Sequence, residues 1–394
     1  MARFLARAGI LVASLLATST ESVASEPRVV VAEGRQPQAA VDAKGGIHLV
    51  YGLGDEIRYV ALDSEGKPTS NPVIVGKAPS KLALGMRRGP RIAVSGRGIT
   101  VTAIDWNSPV DRGKFTAYEG GTLLAWRSTD GGRSWQGPVA VNTVRGSAAE
   151  GLHALAAGPE GAFFVAWNDN RSQSMEVYGA RSNDGGANWV DETLVYRSPE
   201  KSICPCCHPS AAFAADGSLH VMWRNQLFGR RDLHLARSLD GGKSFEPAVK
   251  QGEGSWSFNA CPMDGGAIAP SSRDSVTTAW MREARAFEST SGSAERSLGR
   301  GVQPWCALGP EGVSFAWITA RPGKLMIRNP GDAKPTELAP SAVDPMLAAA
   351  LGGRGPVVAV WEVDPSAGKP AGGHSHGTAV AGPIAAAVVV PATE

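Results

Sequence analysis

Short runs of apolar residues alternate with glycine- and proline-rich turns along the whole chain. After residue 25, these runs lack the long 3.6-residue periodicity of amphipathic helices. Apolar runs of this length, bounded by turn residues, are typical of β-strands. The 48 glycines and 27 prolines also fit many tight turns. The pattern therefore predicts an all-β fold.

One unit of this pattern recurs. It consists of a proline, a strand of small residues, a turn glycine and a second strand that ends in a large apolar residue, usually an aromatic. In four copies the first and last positions are 14 residues apart, and three later copies are looser. Repetition of this kind indicates an array of one supersecondary unit. The copies run from Pro37 to Tyr51, Pro90 to Ile104, His153 to Trp167, Pro209 to Trp223, Pro262 to Trp280, Pro304 to Trp317 and Pro345 to Trp361.

A second motif follows three of these copies and contains a serine, an aspartate, two glycines and a closing aromatic residue. We expect each copy to form a hairpin turn, in which the aspartate accepts N–H bonds and the glycines take positive φ. The stretches are Ser128–Trp135, Ser182–Trp189 and Ser238–Phe245, with Asp130, Asp184 and Asp240 as the structural aspartates.

These stretches resemble the Asp-box of sialidases and related β-propellers. The resemblance implies a β-propeller of four-stranded blades, with the Asp-boxes on the face opposite a sialidase's active site. The repeat count predicts seven blades, and six, the number in sialidases, is the alternative because the last two units are short. We expect the strand at residues 27–32 to complete the last blade, and residues 26–394 to form one propeller domain.

The N-terminal residues 1–25 have the features of a secretory signal peptide. Arg3 and Arg7 precede a short apolar run, and small residues follow it. We therefore expect an exported protein, periplasmic or secreted, with no transmembrane span in the mature chain. The formal net charge of +2, with both signs mixed along the sequence, argues against nucleic acid as a partner.

All five cysteines lie near the entries of units four, five and six. In a propeller, these entries are expected around the mouth of the central channel, where side chains distant in sequence meet. The candidate metal ligands are Cys204, Cys206, Cys207, His208, Cys261 and Cys306. Further residues expected at the mouth are Arg35, Arg88, His153, Met263, Asp264, His374 and His376.

Three interpretations of the cysteines remain open. In an oxidising compartment, Cys204 or Cys207 would form a disulfide with Cys261 across adjacent inner strands. Thiolates converging with His208 would instead suit a soft metal, most plausibly copper. The run from Cys204 to His208 also matches C-x-x-C-H for c-type haem, but it leads into a strand, whereas such motifs usually open a helix.

The chain also resembles a group of exported sialidase-like propellers that has no assigned activity. Its members share a C-x-C-C run in one blade and a Cys-Pro followed by glycine in the next, here Cys204–Cys207 and Cys261–Gly265. The resemblance implies that the cysteines are a feature of the group.

The sequence leaves enzymatic activity open. Retaining sialidases use three arginines, a Tyr–Glu nucleophile pair and an acid/base aspartate. Here Arg35 and Arg88 match only the outer letters of an Arg-Ile-Pro motif, and none of the five tyrosines has a recognisable nucleophile context. We expect a binding or assembly module for a metal, a small ligand or another exported protein. A sialidase-like glycoside hydrolase acting on exported or extracellular glycans is the alternative.

Overall fold

The computed structural model describes residues 28–106, 120–364 and 381–392. The predicted signal segment at residues 1–25 and the two histidines His374 and His376 lie outside the described residues. In the described ranges, every regular element is a strand except one 3-10 turn, Pro159–Gly161, so the predicted all-β fold is confirmed. These ranges contain no helix that is long and apolar enough to span a membrane.

Consecutive strands pair in antiparallel order along the chain. The strands of the first half are β1 (Arg28–Val41), β2 (Ile47–Leu53), β3 (Glu56–Leu62), β4 (Val73–Lys77), β5 (Arg91–Ser95), β6 (Gly98–Trp106), β7 (Gly120–Ser128), β8 (Gln136–Ala140), β9 (Ala148–Ala157), β10 (Phe163–Asp169), β11 (Glu176–Ser182) and β12 (Val190–Tyr196). Those of the second half are β13 (Ser210–Phe213), β14 (Leu219–Arg224), β15 (Leu233–Ser238), β16 (Val249–Lys250), β17 (Gly266–Pro270), β18 (Val276–Arg282), β19 (Arg285–Thr290), β20 (Arg296–Arg300), β21 (Val302–Gly309), β22 (Gly312–Ile318), β23 (Gly323–Arg328), β24 (Thr336–Ala348), β25 (Val357–Glu362) and β26 (Gly382–Val390).

The two longest strands, β1 and β24, each pair with strands of two neighbouring four-stranded groups. The first part of β24 pairs with β23 and its last part pairs with β25. The first part of β1 pairs with β26 and its last part with β2. In each strand a bulge closely follows the change of partner, between Arg35 and Gln38 in β1 and between Val343 and Met346 in β24, and it helps the strand bend into the next sheet. The prediction that the N-terminal strand completes the last unit is therefore confirmed for its described residues.

The first strands of the groups surround a common axis. Each contacts the next in the order β1, β5, β9, β13, β17, β21 and β24, and β24 contacts β1. They enclose a cavity of about 210 Å³. Small side chains allow the strands to converge, since each of the seven places an alanine on the wall. These alanines are Ala39, Ala93, Ala156, Ala211, Ala269, Ala307 and Ala348.

The aromatic residues that end the repeat units lie in the apolar layers between sheets, as the sequence predicts. Trp223, for example, is 1% exposed and belongs to a core cluster with Ala156 and Phe164 of the preceding unit. Burial of a large apolar side chain contributes about 1.5–3 kcal/mol, so these residues stabilise the stacking of neighbouring sheets. The other buried members of the set are Trp167, Trp280, Trp317 and Trp361.

The three serine–aspartate turns have the predicted hydrogen bonds. In the first, Asp130 Oδ1 accepts the backbone N–H of Ser134 at 3.0 Å, and Ser128 Oγ accepts the N–H of Gly132 at 2.8 Å. Both glycines have positive φ. Asp184 and Asp240 repeat this arrangement. Each turn joins the third strand of its group to the fourth.

Unit five differs from the repeat predicted from the sequence. Trp280 lies opposite Gly266, not Pro262, so the first strand begins four residues later than the proline predicts. Cys261 therefore lies in the preceding loop and is exposed. The looser spacing of this copy reflects an extra loop segment before the strand.

Candidate metal centre and the polar mouth of the cavity

The loop from Ser202 to Pro209 carries three cysteines and is held at both sides. Cys204 donates its backbone N–H to Arg224 O at 3.0 Å, which joins the loop to β14. From β10 of the preceding unit, the Asn168 side-chain amide donates to Pro205 O and to Cys207 O, both at 3.0 Å. The loop is consequently fixed by two different sheets.

This anchoring brings three thiols together. Cys204 Sγ lies 3.7 Å from Cys206 Sγ and 3.5 Å from Cys207 Sγ. All three sulfur atoms lie within 4.8 Å of one another, and all three residues are buried. Met263, from the loop before β17, packs against them and adds a thioether to the apolar enclosure. Three sulfur donors at this spacing can converge on one metal ion.

The three thiols have unequal acidities. Hydrogen bonding with Cys206 and then with Cys207 holds the pKa of Cys204 well below its ordinary value, with Arg231 and Arg224 contributing electrostatically. The same hydrogen bonding raises the pKa of Cys206, and burial raises that of Cys207. Cys204 is therefore the thiol of the cluster that loses its proton most readily. Thiolate is the form that binds metal.

The other three predicted ligands do not join this group. The His208 imidazole stacks on Trp305 with ring centroids 5.7 Å apart, and its Nδ1 accepts the N–H of Gly265 at 3.3 Å. Cys306 is buried in the core between units five and six, with Thr277 O as its polar neighbour. Cys261 is exposed. In the described ranges, the cluster of potential metal ligands consists of Cys204, Cys206 and Cys207 alone.

A buried arginine lies beside the thiols. Arg224 is 1% exposed, and its guanidinium donates only to backbone carbonyl groups. The acceptors are Asp264 O at 2.9 Å, Arg231 O at 2.6 Å, Gly265 O at 3.3 Å and Met281 O at 2.9 Å. Within the described residues no carboxylate lies within salt-bridge distance of this guanidinium. The side chain points inward between two sheets, because its acceptors include Asp264 O in the loop before β17 and Met281 O on β18.

A second polar cluster lies where β1, β21 and β24 enter the ring. Asp344 Oδ2 accepts from Gln36 Nε2 at 2.6 Å and from Arg321 Nη2 at 2.8 Å. Gln36 Nε2 also donates to Glu362 Oε1 at 2.8 Å. The Gln303 side chain donates through Nε2 to Asp344 Oδ1 and accepts the backbone N–H of Asp344 at Oε1, at 2.9 Å. One glutamine therefore bridges two buried carboxyl groups.

The two carboxyl groups have different pKa values. Burial raises the pKa of Asp344, but the positive charges of Arg321 and Arg87 outweigh burial and hold it below its ordinary value. Burial and the charge of Asp344 both raise the pKa of Glu362. Asp264, whose Oδ2 accepts the N–H of Gln303 at 2.7 Å, has a pKa raised by burial to about 6.

The predicted mouth arginines are engaged in structural contacts. Arg88 donates to Glu150 Oε2 at 2.9 Å and lies over the Trp106 ring. Arg35 Nε lies 3.6 Å from Glu362 Oε2. Neither guanidinium stands alone in an open pocket, as an arginine that grips a substrate carboxylate would.

His153 is a buried structural residue at the start of unit three. Its Nε2 lies 3.0 Å from Thr102 Oγ1 on β6. Burial, with the nearby Arg91 charge, lowers its pKa well below the ordinary value, so the imidazole is neutral. This arrangement agrees with the structural role favoured by the sequence.

The backbone at the mouth is strained. Five non-glycine residues at strand entries have φ between 50° and 68°. Such conformations cost about 1–3 kcal/mol each and concentrate at ligand sites and switch regions. The residues are Gln36, Arg87, Glu150, Gln303 and Asp344. Residues with this strain therefore lie at several strand entries around the mouth.

Three buried polar residues of this region are not among the site residues predicted from the sequence. Asn168, Arg224 and Glu362 each follow directly the aromatic residue that ends a repeat unit. A polar residue at that position is the signal that would have found them. In each group this residue ends the second strand, at the mouth. Its side chain therefore faces the segment that leads into the first strand of the following group.

The comparisons with known proteins show likeness of fold only. No family model matches the chain, and no curated protein matches it. A solved structure of unknown function from Dyadobacter fermentans is 18% identical, with a TM-score of 0.52, and covers 92% of this chain and 98% of its own. The Hadza microbial sialidase Hz136 is 15% identical over 78% of this chain and 71% of its own, with a TM-score of 0.49. An α-L-arabinofuranosidase from Fusarium graminearum is 13% identical over 76% and 92%, with a TM-score of 0.48.

Proposed function

We propose that this chain is an exported binding module whose three-thiol cluster holds a soft metal ion, with Cu(I) as the preferred ion. The observation that carries the proposal is the convergence of Cys204, Cys206 and Cys207, whose sulfur atoms all lie within 4.8 Å of one another. Thiolate sulfur selects soft ions such as Cu(I). Structural zinc is the weaker candidate, because it takes four ligands and the described residues supply three thiols.

Burial supports the same proposal. A thiol cluster enclosed by Met263 and the loop backbone is shielded from solvent, which favours retention of a bound ion over exchange. The lowered pKa of Cys204 favours its thiolate, which is the form that binds metal. Binding of the ion would displace the protons of Cys206 and Cys207. Three sulfur ligands would then surround the ion.

The fold proposal that accompanies this function is a seven-bladed propeller. Its support is the closed order of contacts among the seven first strands, from β1 through β24 and back to β1. Each group of four antiparallel strands would be one blade, and β1 and β24 would each contribute to two. A crystal structure with six sheets around the axis would contradict this count.

The metal proposal is tested with protein purified without oxidant from the periplasm or medium. Reduced wild-type protein should bind one equivalent of Cu(I), supplied as its acetonitrile complex under anaerobic conditions, and the C204S/C207S double variant should not. Equal binding by both proteins would overturn the proposal. The denatured wild-type protein could instead have an intact mass that is lower than the sequence mass by two hydrogen atoms, and bind no copper even after reduction. That result would assign two of the thiols to a disulfide. Added mass that survives denaturation would indicate covalent haem.

A glycoside hydrolase is the second candidate, and one observation favours it. Asp344 and Glu362 share Gln36, and their pKa values are displaced in opposite directions. Pairs of carboxyl groups with divergent pKa values perform acid and base roles in glycosidases. Wild-type protein would then release 4-methylumbelliferone from a sialoside or an arabinofuranoside, and D344N and E362Q would not. Equal signals from wild type and both variants would exclude this candidate.

A further inference from the structure

Arg224 carries a positive charge that the fold buries without an opposite charge in contact. Arginine is seldom fully buried unless it is paired, because removal of a charge from water is costly. Arg224 is 1% exposed and donates to four carbonyl oxygens. Carbonyl groups satisfy its N–H bonds and its Cζ lies 5.6 Å from the centre of the Trp256 ring, but among the described residues no carboxylate pairs with it directly.

The thiol cluster is the anionic group that this charge faces. Arg224 O accepts the N–H of Cys204 at 3.0 Å, so the two residues are adjacent across the loop. Its Nε donates to the carbonyl of Asp264, whose neighbour Met263 packs on the three sulfur atoms. The guanidinium thus lies between the thiol loop of one unit and the loop that covers it from the next.

A second arginine has the same character. Arg231 is 8% exposed and donates to Phe258 O at 3.2 Å and to Gln226 Oε1 at 2.7 Å. These acceptors are neutral, as are those of Arg224. Both charges act on Cys204, and Arg224 also acts on Cys207. Asp264 is a charged side chain of the same region; its carboxylate accepts the N–H of Gln303 and interacts electrostatically with Arg224.

We infer that Arg224, assisted by Arg231, is the fixed counter-charge that allows several thiolates to share a buried site and so sets its affinity for metal. Three thiolates around one monovalent ion carry a net charge of −2. An excess of this kind cannot be buried without nearby positive charge. The four carbonyl bonds hold the guanidinium in place before any ion binds, so the site is preorganised. Arg224 is a positioning residue, and this inference rests on the proposed metal function.

The test separates charge from structure. Arg224→Lys keeps the charge but loses most carbonyl bonds, whereas Arg224→Gln loses both. Cu(I) affinity is measured by competition with bicinchoninate at fixed pH, and the metal-free proteins are compared by thermal unfolding. Loss of an outer-shell partner commonly lowers metal affinity by about 10–100-fold. We expect that loss for R224Q, partial rescue in R224K and similar loss of thermal stability in both. Equal copper affinity in the two variants would overturn the counter-charge role.

Two further comparisons keep the result interpretable. If the Arg224 variants fail to fold, R231K is compared with R231Q, because Arg231 makes fewer hydrogen bonds than Arg224. Equal Cu(I) affinities of these two variants would also overturn the inference. R237Q removes one charge from β15 where the side chain pairs with Glu246 and Asp274, and it should bind copper as wild type does. A wild-type protein that binds no copper contradicts the metal function itself. Tight binding by both wild type and R224Q contradicts only this inference.

Discussion

Asn168 and Cys207 are joined across the boundary between two sheets: the Asn168 amide, at the end of β10, donates to the Cys207 carbonyl at 3.0 Å. The same nitrogen donates to Pro205 O, so one side chain fixes both sides of Cys206. The three thiols are therefore arranged by a neighbouring unit as well as by their own loop. Preorganisation of this kind reduces the ordering that metal binding would otherwise require.

The first prediction concerns this clamp. Asn168→Ala leaves two buried carbonyl groups without a donor, which should lower the free energy of unfolding by about 1–3 kcal/mol. It should also weaken Cu(I) binding by about tenfold, the lower end of the range for outer-shell partners. Asn168→Asp is the matched control, because it keeps the size of the side chain but removes the donor. Wild-type copper affinity in both variants would show that the loop is ordered without Asn168.

The second prediction separates the cysteines. Cys261→Ser and Cys306→Ala should each retain one equivalent of Cu(I), with affinity within about twofold of wild type, because neither sulfur atom belongs to the three-thiol cluster. Cys206→Ser should lose most binding, because it removes one of the three converging sulfur atoms. Copper titration of the three variants, with thiol counts by alkylation and mass, makes the comparison. Loss of binding in C261S would place the exposed thiol among the ligands.

The sequence predicted the repeat and local turns well because both are encoded over short distances. The spacing from Pro209 to Trp223 fixes a hairpin, and β13 and β14 pair as that spacing requires. The serine–aspartate turn is encoded within eight residues such as Ser128–Trp135. Local hydrogen bonds and strand alternation depend on few residues, so a pattern alone specifies them.

The site was predicted less completely because its assembly depends on register between distant units. The extra residues before Gly266 move Cys261 into an exposed loop, and no local pattern marks that insertion. Successive side chains of β21 face opposite sides of the sheet. The Cys306 side chain lies on the side that packs into the core between units, and not at the mouth. The clamp by Asn168 uses backbone carbonyls as acceptors, so the polar residue after Trp167 marks the position but does not identify what it binds.

The third prediction concerns Asp344. Asp344→Asn removes the charge that pairs with Arg321 at 2.8 Å and leaves the buried Arg87 without its nearest carboxylate. Loss of one partner of a buried pair costs about 3–5 kcal/mol. Denaturant unfolding of D344N should show a decrease of this size. Arg58→Gln, which breaks a more exposed pair with Glu56, is the control and should cost less than about 1 kcal/mol. Similar decreases in the two variants would show that the mouth cluster is not a stabilising network.

The last prediction is a dependence of stability on pH that arises from Asp264. Burial raises the pKa of this carboxyl in the folded protein to about 6, from an ordinary value of 3.8. Between these two values the folded state binds more protons than the unfolded state, so the free energy of unfolding falls as pH rises. The full separation of the two pKa values corresponds to about 3 kcal/mol, of which about 2.4 kcal/mol is lost between pH 4 and pH 7.

Asp264→Asn removes this titrating group while keeping a side chain of similar shape. The wild-type free energy of unfolding minus that of D264N should therefore decrease as pH rises from 4 to 7, and it should stay constant above pH 7. Denaturant unfolding of the metal-free proteins at several pH values measures it. Glu362 contributes to the wild-type curve in the same direction, because its pKa is also raised, but that contribution cancels in the difference. A difference that does not change with pH would mean that Asp264 is solvated in the folded protein and that the mouth is open to water at this residue.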